Sequence, residues 1–159
     1  MDYNIIVAVC LNNGIGYKNQ LPWPHNSADM KHFAKLTKGT GNNAIVMGRK
    51  TWESLPFSPL PKRDNIVMSR TLKKITGGWV YNSLEEVINH CTERKYDKVW
   101  IIGGSEIYNI FLKKKIIQEI YKTIIPDEYE CDCFFPEVSE DGNPKIKLFI
   151  PLNQGGVSL

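Results

Sequence analysis

A chain of 159 residues with 42% hydrophobic and 23% charged side chains suits one domain, 1–159, with a sizeable core, and excludes a disordered or low-complexity polymer. A net charge of +3, with lysines scattered apart from Lys113-Lys114-Lys115, gives no strong nucleic-acid signal, and the longest apolar run, 5–11, is far too short to span a membrane. The start Met1-Asp2 lacks the basic n-region of a secretory signal, so a cytoplasmic location is expected, with Cys10, Cys91, Cys131 and Cys133 as structural thiols and not a disulfide framework or zinc site.

The β-branched block 3–11 reads as a buried strand. The loop 12–24 follows, with Gly14 and Gly16 as sources of hinge freedom and Leu21, Pro22, Trp23 and Pro24 as a stiffer corner. Its length suits a lid in which Leu21 and Trp23 close over an apolar planar ligand, or an ordinary long connection. The run 28–37 is helical in period, and at 100° per residue Asp29 shares a face with Phe33 and Leu36 while Lys31, Lys35 and Lys38 take the other. A carboxylate on an apolar face is answered by a ligand or partner, or else is a first-turn residue favoured by the helix dipole after a cap at Asn26 or Ser27.

A second strand, 43–48, runs into Gly48-Arg49-Lys50-Thr51 and a helix over 49–55, a junction whose free N–H groups suit an anion. The rigid turn Pro59-Leu60-Pro61-Lys62-Arg63 then presents a guanidinium of the kind that binds carboxylates bidentately. The strand 65–69 ends at Ser69-Arg70, and 79–81 is a further strand. Ser83 and Glu86 form a capping box for a helix over 84–94. The strand 98–103 meets Gly103-Gly104-Ser105-Glu106 before a helix over 106–112, and the strand 119–125 carries Thr123, whose hydroxyl is a candidate partner for Asp29. Strand and helix alternate, which implies a mainly parallel, twisted sheet flanked by about four helices in three layers. Three strand ends with anion-friendly chemistry point to a dinucleotide with separate phosphates. The tail, 137–159, changes character, with a turn at Gly142-Asn143-Pro144 and one strand over 145–152.

Taken in order, Ile5-Ile6-Val7-Ala8-Val9, Gly14-Ile15-Gly16, Leu21-Pro22-Trp23, Asp29, Phe33 and 45–54 resemble the dihydrofolate reductase family. The likeness continues through 59–70, through Ile101-Ile102-Gly103-Gly104-Ser105-Glu106-Ile107-Tyr108 and through Asp132-Cys133-Phe134-Phe135-Pro136, so it covers 3–136. The resemblance implies hydride transfer from NADPH to 7,8-dihydrofolate. It implies that Asp29 holds the pterin's amidine-like edge and favours protonation at N5, that Thr123 steadies Asp29, and that Leu21 and Trp23 belong to the lid. Ala8, Phe33, Ile102 and Tyr108 would line the pterin pocket, Leu60 would pack on the benzoyl ring, and Arg63 would take the glutamyl carboxylate. Ala8, Ile15, Gly16, Gly48, Arg49, Lys50, Thr51, Ser69, Gly103, Gly104, Ser105, Glu106 and Ile107 would contact NADPH, with Arg70 at its 2′-phosphate. The resemblance also implies a cis peptide at Gly103-Gly104, sensitivity to antifolate inhibitors, and a monomer or one part of a larger chain fused to thymidylate synthase.

Two departures accompany it. The family closes its sheet with a C-terminal hairpin of two long strands, and here 137–159 is expected to leave that edge hairpin shortened or incomplete. Cys131 stands where bacterial relatives have glycine. Two other readings are a dinucleotide-binding protein without turnover and a reductase of another pterin or flavin precursor. Asp29, Phe33, Leu60 and Arg63 together suit a folate better.

Overall fold

The chain runs β1 (Asp2–Cys10), β2 (Gly14–Gly16), α1 (Ser27–Lys38), β3 (Asn43–Gly48), α2 (Arg49–Ser54), β4 (Asp64–Met68) and β5 (Gly78–Tyr81). It continues with α3 (Leu84–Arg94), β6 (Lys98–Ile101), α4 (Ser105–Lys114), β7 (Ile117–Ile125), β8 (Cys133–Phe134) and β9 (Lys145–Phe149). The computed structural model describes residues 1–24, 27–138 and 144–151, the side chains of 27 and 28 excepted. The expected cap at Asn26 or Ser27, the turn at Gly142-Asn143 and any strand after 151 lie outside the described residues and side chains.

Seven strands form one sheet in the order β5-β4-β3-β6-β1-β7-β9. Each pairing in it is parallel. Because β6 inserts between β1 and β3, the connections on its two sides diverge, which makes the carboxyl ends of these central strands a topological switch point of the kind where open α/β sheets bind ligands.

Side chains alternate across the sheet and divide the core in two. On one face Ile5, Val7 and Val9 of β1 pack with Val46, Ile101, Ile107, Tyr108 and Phe111. On the other, Ile6, Ile45, Met47 and Trp100 pack with Phe33 and Leu36 of α1 and Trp52 of α2. Central side chains such as Ile5, Ile45, Val46, Met47, Ile66 and Ile101 are wholly inaccessible, so the continuous apolar reading of these strands holds. It does not hold at the margins. β5 is half-buried throughout and β9 is largely exposed, since a strand with one neighbour is covered less.

The third helix starts as its capping box requires, with Ser83 Oγ accepting from the Glu86 N–H at 3.2 Å. β9 pairs with β7 from Glu119↔Lys145 to Thr123↔Phe149, which supplies one strand of the expected edge. Ile146 and Leu148 remain exposed along it, as does Ile150 just beyond its end.

The lid loop differs from expectation. Within 12–24, β2 pairs antiparallel with β8, and a further bridge joins Tyr17 to Gln20. Positive φ falls on Asn13, Lys18 and Asn19, not on Gly14 or Gly16. Gly14 serves close approach, since a Cβ there would sit 2.0 Å from Cys131 Sγ, while a Cβ on Gly16 would make ordinary contact with Cys133 Cβ at 3.4 Å.

Candidate active site

Three sequence-distant elements meet at one carboxylate. Thr123 of β7 stands opposite Ala8 of β1, and its hydroxyl hydrogen-bonds the Asp29 carboxylate presented by α1. Thr123 is 1% exposed. Asp29 is half-buried, less covered than its apolar face suggested. Desolvation raises its pKa, while the Thr123 bond and then the His32 imidazole act to lower it. His32, one turn further along α1, stacks on Phe149 of β9 with ring centroids 3.9 Å apart.

Tyr108 reaches the same floor from α4. It is 3% exposed, and its hydroxyl donates to the Ile6 carbonyl at 3.0 Å. Burial, and then Asp29, push its pKa far up, so it stays a neutral donor. Phe33 and Ile102 are half-buried against the apolar cluster on the α1 face, and Ile15 packs on the opposite cluster. Trp23 is buried against Tyr129, Cys10 and Ile125, which anchors the lid corner. Leu21 does not join it: at 55% exposure it points to solvent, because nothing apolar covers it in this arrangement.

The turn before β4 is positioned by two residues that the sequence reading passed over. Buried Asn65 accepts from the Leu60 N–H at 2.9 Å and donates to the carbonyls of Leu60 and Arg63, each at 2.9 Å. Buried Thr37 of α1 donates to the Phe33 carbonyl at 2.8 Å and accepts from Arg63 Nη1, also at 2.8 Å. Arg63 Nε donates to the Pro61 carbonyl at 2.9 Å, so the guanidinium is braced on two sides. A polar residue inside each apolar block, Thr37 beside Leu36 and Asn65 before Ile66, was the signal available in the chain.

The ends of β3 and β6 lie side by side, joined by Gly48 N–H to the Gly103 carbonyl at 2.9 Å. The Gly103-Gly104 peptide is cis, and Gly103 has φ +122°. A Cβ on Gly103 would lie 3.3 Å from the Tyr108 hydroxyl and one on Gly48 3.1 Å from Ile107 Cγ1. At Gly104 the nearest atom would be Thr51 Oγ1 at 4.0 Å, so that backbone is open. No side chain caps the start of the ten-residue α4, which leaves first-turn N–H groups for an anion. α2 also lacks a cap, but with six residues its dipole is small.

The outer cations are already engaged. Arg49 Nη1 donates to both Glu53 oxygens at 2.9 and 3.1 Å, and Arg70 lies 3.6 Å from Glu106. Ser69 Oγ accepts from the N–H groups of Thr71 and Leu72, holding the turn that carries Arg70. Ser105 Oγ donates to the Phe134 carbonyl of β8 at 3.0 Å, which ties α4 to the lid ribbon. Lys50 is exposed beside this rim. The donors present fit a dinucleotide: open backbone at Gly104, a hydroxyl at Thr51, and arginines at two strand ends.

A switch point at the carboxyl ends of a parallel sheet, with a carboxylate on one side and uncapped anion-friendly backbone on the other, fits a nucleotide-dependent α/β enzyme class. The family model described as Dihydrofolate reductase matches residues 2–146, and the chain belongs to that family. It is 40% identical over 147 residues to Dihydrofolate reductase of Gallus gallus, covering 85% of this chain and 78% of that protein. It is 41% identical over 139 residues to Dihydrofolate reductase of Haemophilus influenzae, covering 87% and 81%. With Bifunctional dihydrofolate reductase-thymidylate synthase of Plasmodium chabaudi it shares 34% identity over 179 residues, covering 84% of this chain and 31% of that protein. No helix of the described residues is long and apolar enough to cross a membrane.

Proposed function

We infer that this chain reduces 7,8-dihydrofolate to 5,6,7,8-tetrahydrofolate with NADPH, a reaction that serves one-carbon and thymidylate metabolism. The observation that carries this reading is Asp29: a desolvated carboxylate hydrogen-bonded by Thr123 where β1 and β7 pair. As an anion it accepts two N–H bonds from the pterin's amidine-like edge and favours a proton at N5, the position that must become cationic as the ring is reduced. NADPH, when bound, supplies the hydride.

Ala8, Ile15, Phe33, Ile102 and Tyr108 line the space for the two rings and keep water from it, with Trp23 holding the lid corner and Leu21 free to fold inward. Leu60 packs on the benzoyl ring and Arg63 takes the tail carboxylate, both fixed by Asn65 and Thr37. Gly16, Gly48, Arg49, Lys50, Thr51, Gly103, Gly104, Ser105, Glu106 and Ile107 surround the cofactor's nicotinamide half and pyrophosphate. Ser69 and Arg70 meet its 2′-phosphate. Antifolates that mimic the protonated pterin bind against Asp29. We place the protein in the cytoplasm as a single domain, a monomer or one part of a bifunctional chain.

Mixing the protein with NADPH and dihydrofolate should consume NADPH in step with tetrahydrofolate formation. Tight NADPH binding without turnover would sink the reading.

A further inference from the structure

Two cysteines meet under the lid. Cys10, the last residue of β1 and 1% exposed, lies with its Sγ 3.7 Å from Cys131 Sγ, across 121 positions of sequence. Gly14 passes directly over the pair, with its missing Cβ position 2.0 Å from Cys131 Sγ and 3.2 Å from Cys10 Sγ. Cys131 is half-buried, whereas Cys91 is buried at α3 and belongs to the apolar cluster of the α3 and α4 face.

The surrounding hydrogen bonds make this the junction on which the lid hangs. Asn13 N–H donates to the Cys10 carbonyl at 2.9 Å, Asn12 Nδ2 to the Tyr129 carbonyl at 3.0 Å, and Asp132 N–H to the Gly16 carbonyl at 2.9 Å. The Lys18 N–H in turn donates to Asp132 Oδ2 at 3.0 Å. Trp23 packs in the same cluster as both thiols.

We propose that Cys10 and Cys131 are a modification site, forming a reversible disulfide with small-molecule disulfides as oxidant and thereby fastening the lid base and slowing turnover. The Cys131 thiolate attacks the oxidant's disulfide, giving a mixed disulfide and releasing one small thiol. The Cys10 thiolate then attacks Cys131 sulfur, forming the protein bridge and expelling the second small thiol. Two protein thiols lose two electrons and two protons, and the oxidant becomes two thiols. The sulfurs must close from 3.7 Å to about 2.05 Å, which asks for side-chain rotation at positions already in contact. Burial first, and then the Cys10 thiol, raise the Cys131 pKa, so the exchange is slow near neutrality and accelerates with pH. Such a pair in a reducing compartment is redox-responsive, not a permanent staple.

The inference rests on the reductase reading only for its effect on turnover. The test is incubation of the whole protein with oxidised glutathione at alkaline pH, followed by thiol titration, non-reducing peptide mapping and amide exchange over 14–18. Titratable thiols should fall from the four of the reduced chain by two, with a Cys10–Cys131 cross-linked peptide. Exchange at 14–18 should slow, and kcat should fall by about an order of magnitude, as where lid opening limits turnover. Dithiothreitol should restore both. Cys10→Ser and Cys131→Ser should keep reduced-state activity and lose the response, while Cys133→Ser should keep the response. A bridge to Cys133, a stable glutathione adduct at Cys131, four unreacted thiols, or a bridge that changes neither exchange nor kcat would each overturn the proposal. If the reduced protein turns over no dihydrofolate, the reductase reading fails instead, and peptide mapping and exchange still decide the bridge.

Discussion

At the proposed pterin end Thr123 and Tyr108 are 1% and 3% exposed and meet a desolvated carboxylate, whereas at the proposed phosphate end the side chains of Arg70 and Glu106 are 82% and 71% exposed and pair at 3.6 Å in water. The first arrangement places charge where the medium is poorly polarisable, so each interaction is strong and each loss is severe. The second spreads weaker interactions over several screened groups, none of which dominates. One cleft therefore combines a single expensive residue with many replaceable ones.

The widest gap between the two ends should appear in Asp29→Asn. Loss of the anion should lower kcat/KM by about 10²- to 10⁴-fold, the range of a positioned acid–base group. Stability should move the other way. The folded state raises the Asp29 pKa, so it binds the proton more tightly than the unfolded chain does. Ionisation of Asp29 is thus a cost to folding that is full above its raised folded pKa, fades as pH falls from there to the ordinary carboxylate value, and is gone below it. Asp29→Asn should raise Tm at neutral pH and make little difference in acid, as thermal melts across pH would read. An unchanged rate would remove Asp29 from the chemistry, and an unchanged Tm at neutral pH would show that its partners fully offset the desolvation.

Arg63 lies between these extremes, half-buried and braced by Thr37 and Pro61. Arg63→Gln should raise KM for dihydrofolate by about 30-fold, equivalent to ~2 kcal/mol for charged hydrogen bonds, with kcat little changed. A pterin lacking the glutamyl tail should show no such loss. At the exposed end, Arg70→Ala should raise KM for NADPH by only about tenfold, and less at high salt, leaving NADH unaffected. Equal effects on both cofactors would move Arg70 away from the 2′-phosphate.

How far each end was legible in the chain follows the same division. Residues that act through local pattern could be read: the apolar blocks at 43–48 and 98–103, the capping box at Ser83 and Glu86, and the Asp29 face of α1. Residues that act through distant packing could not. Thr37 and Arg63 are 26 positions apart, and their bond depends on how α1 lies against the turn before β4. Gly14 and Gly16 signalled mobility by composition, yet Gly14 makes room for Cys131 on a segment over a hundred residues away. The two-residue β8 has no periodicity of its own, since it becomes a strand only by pairing with β2.

The subtlest expected effect lies inside the proposed pterin end, in the balance that sets the Asp29 pKa. Burial raises its pKa, and the Thr123 hydroxyl is the foremost opposing influence, ahead of His32. Thr123→Val keeps the shape but removes the donor, so the proton should bind Asp29 more tightly and its titration should move to higher pH, read from the Asp29 carboxyl carbon resonance of the unliganded protein. His32→Gln should move it in the same direction by less. Burial lowers the His32 pKa, the neighbouring Asp29 pulls it up, and Lys35 lowers it further, so the support that His32 charge gives Asp29 is reduced. The neutral Tyr108 hydroxyl, committed to the Ile6 carbonyl, offers Asp29 no compensating charge. A larger displacement in His32→Gln than in Thr123→Val would make the anion's main support electrostatic and exposed, and the contrast between the two ends of the cleft would then lose its physical basis.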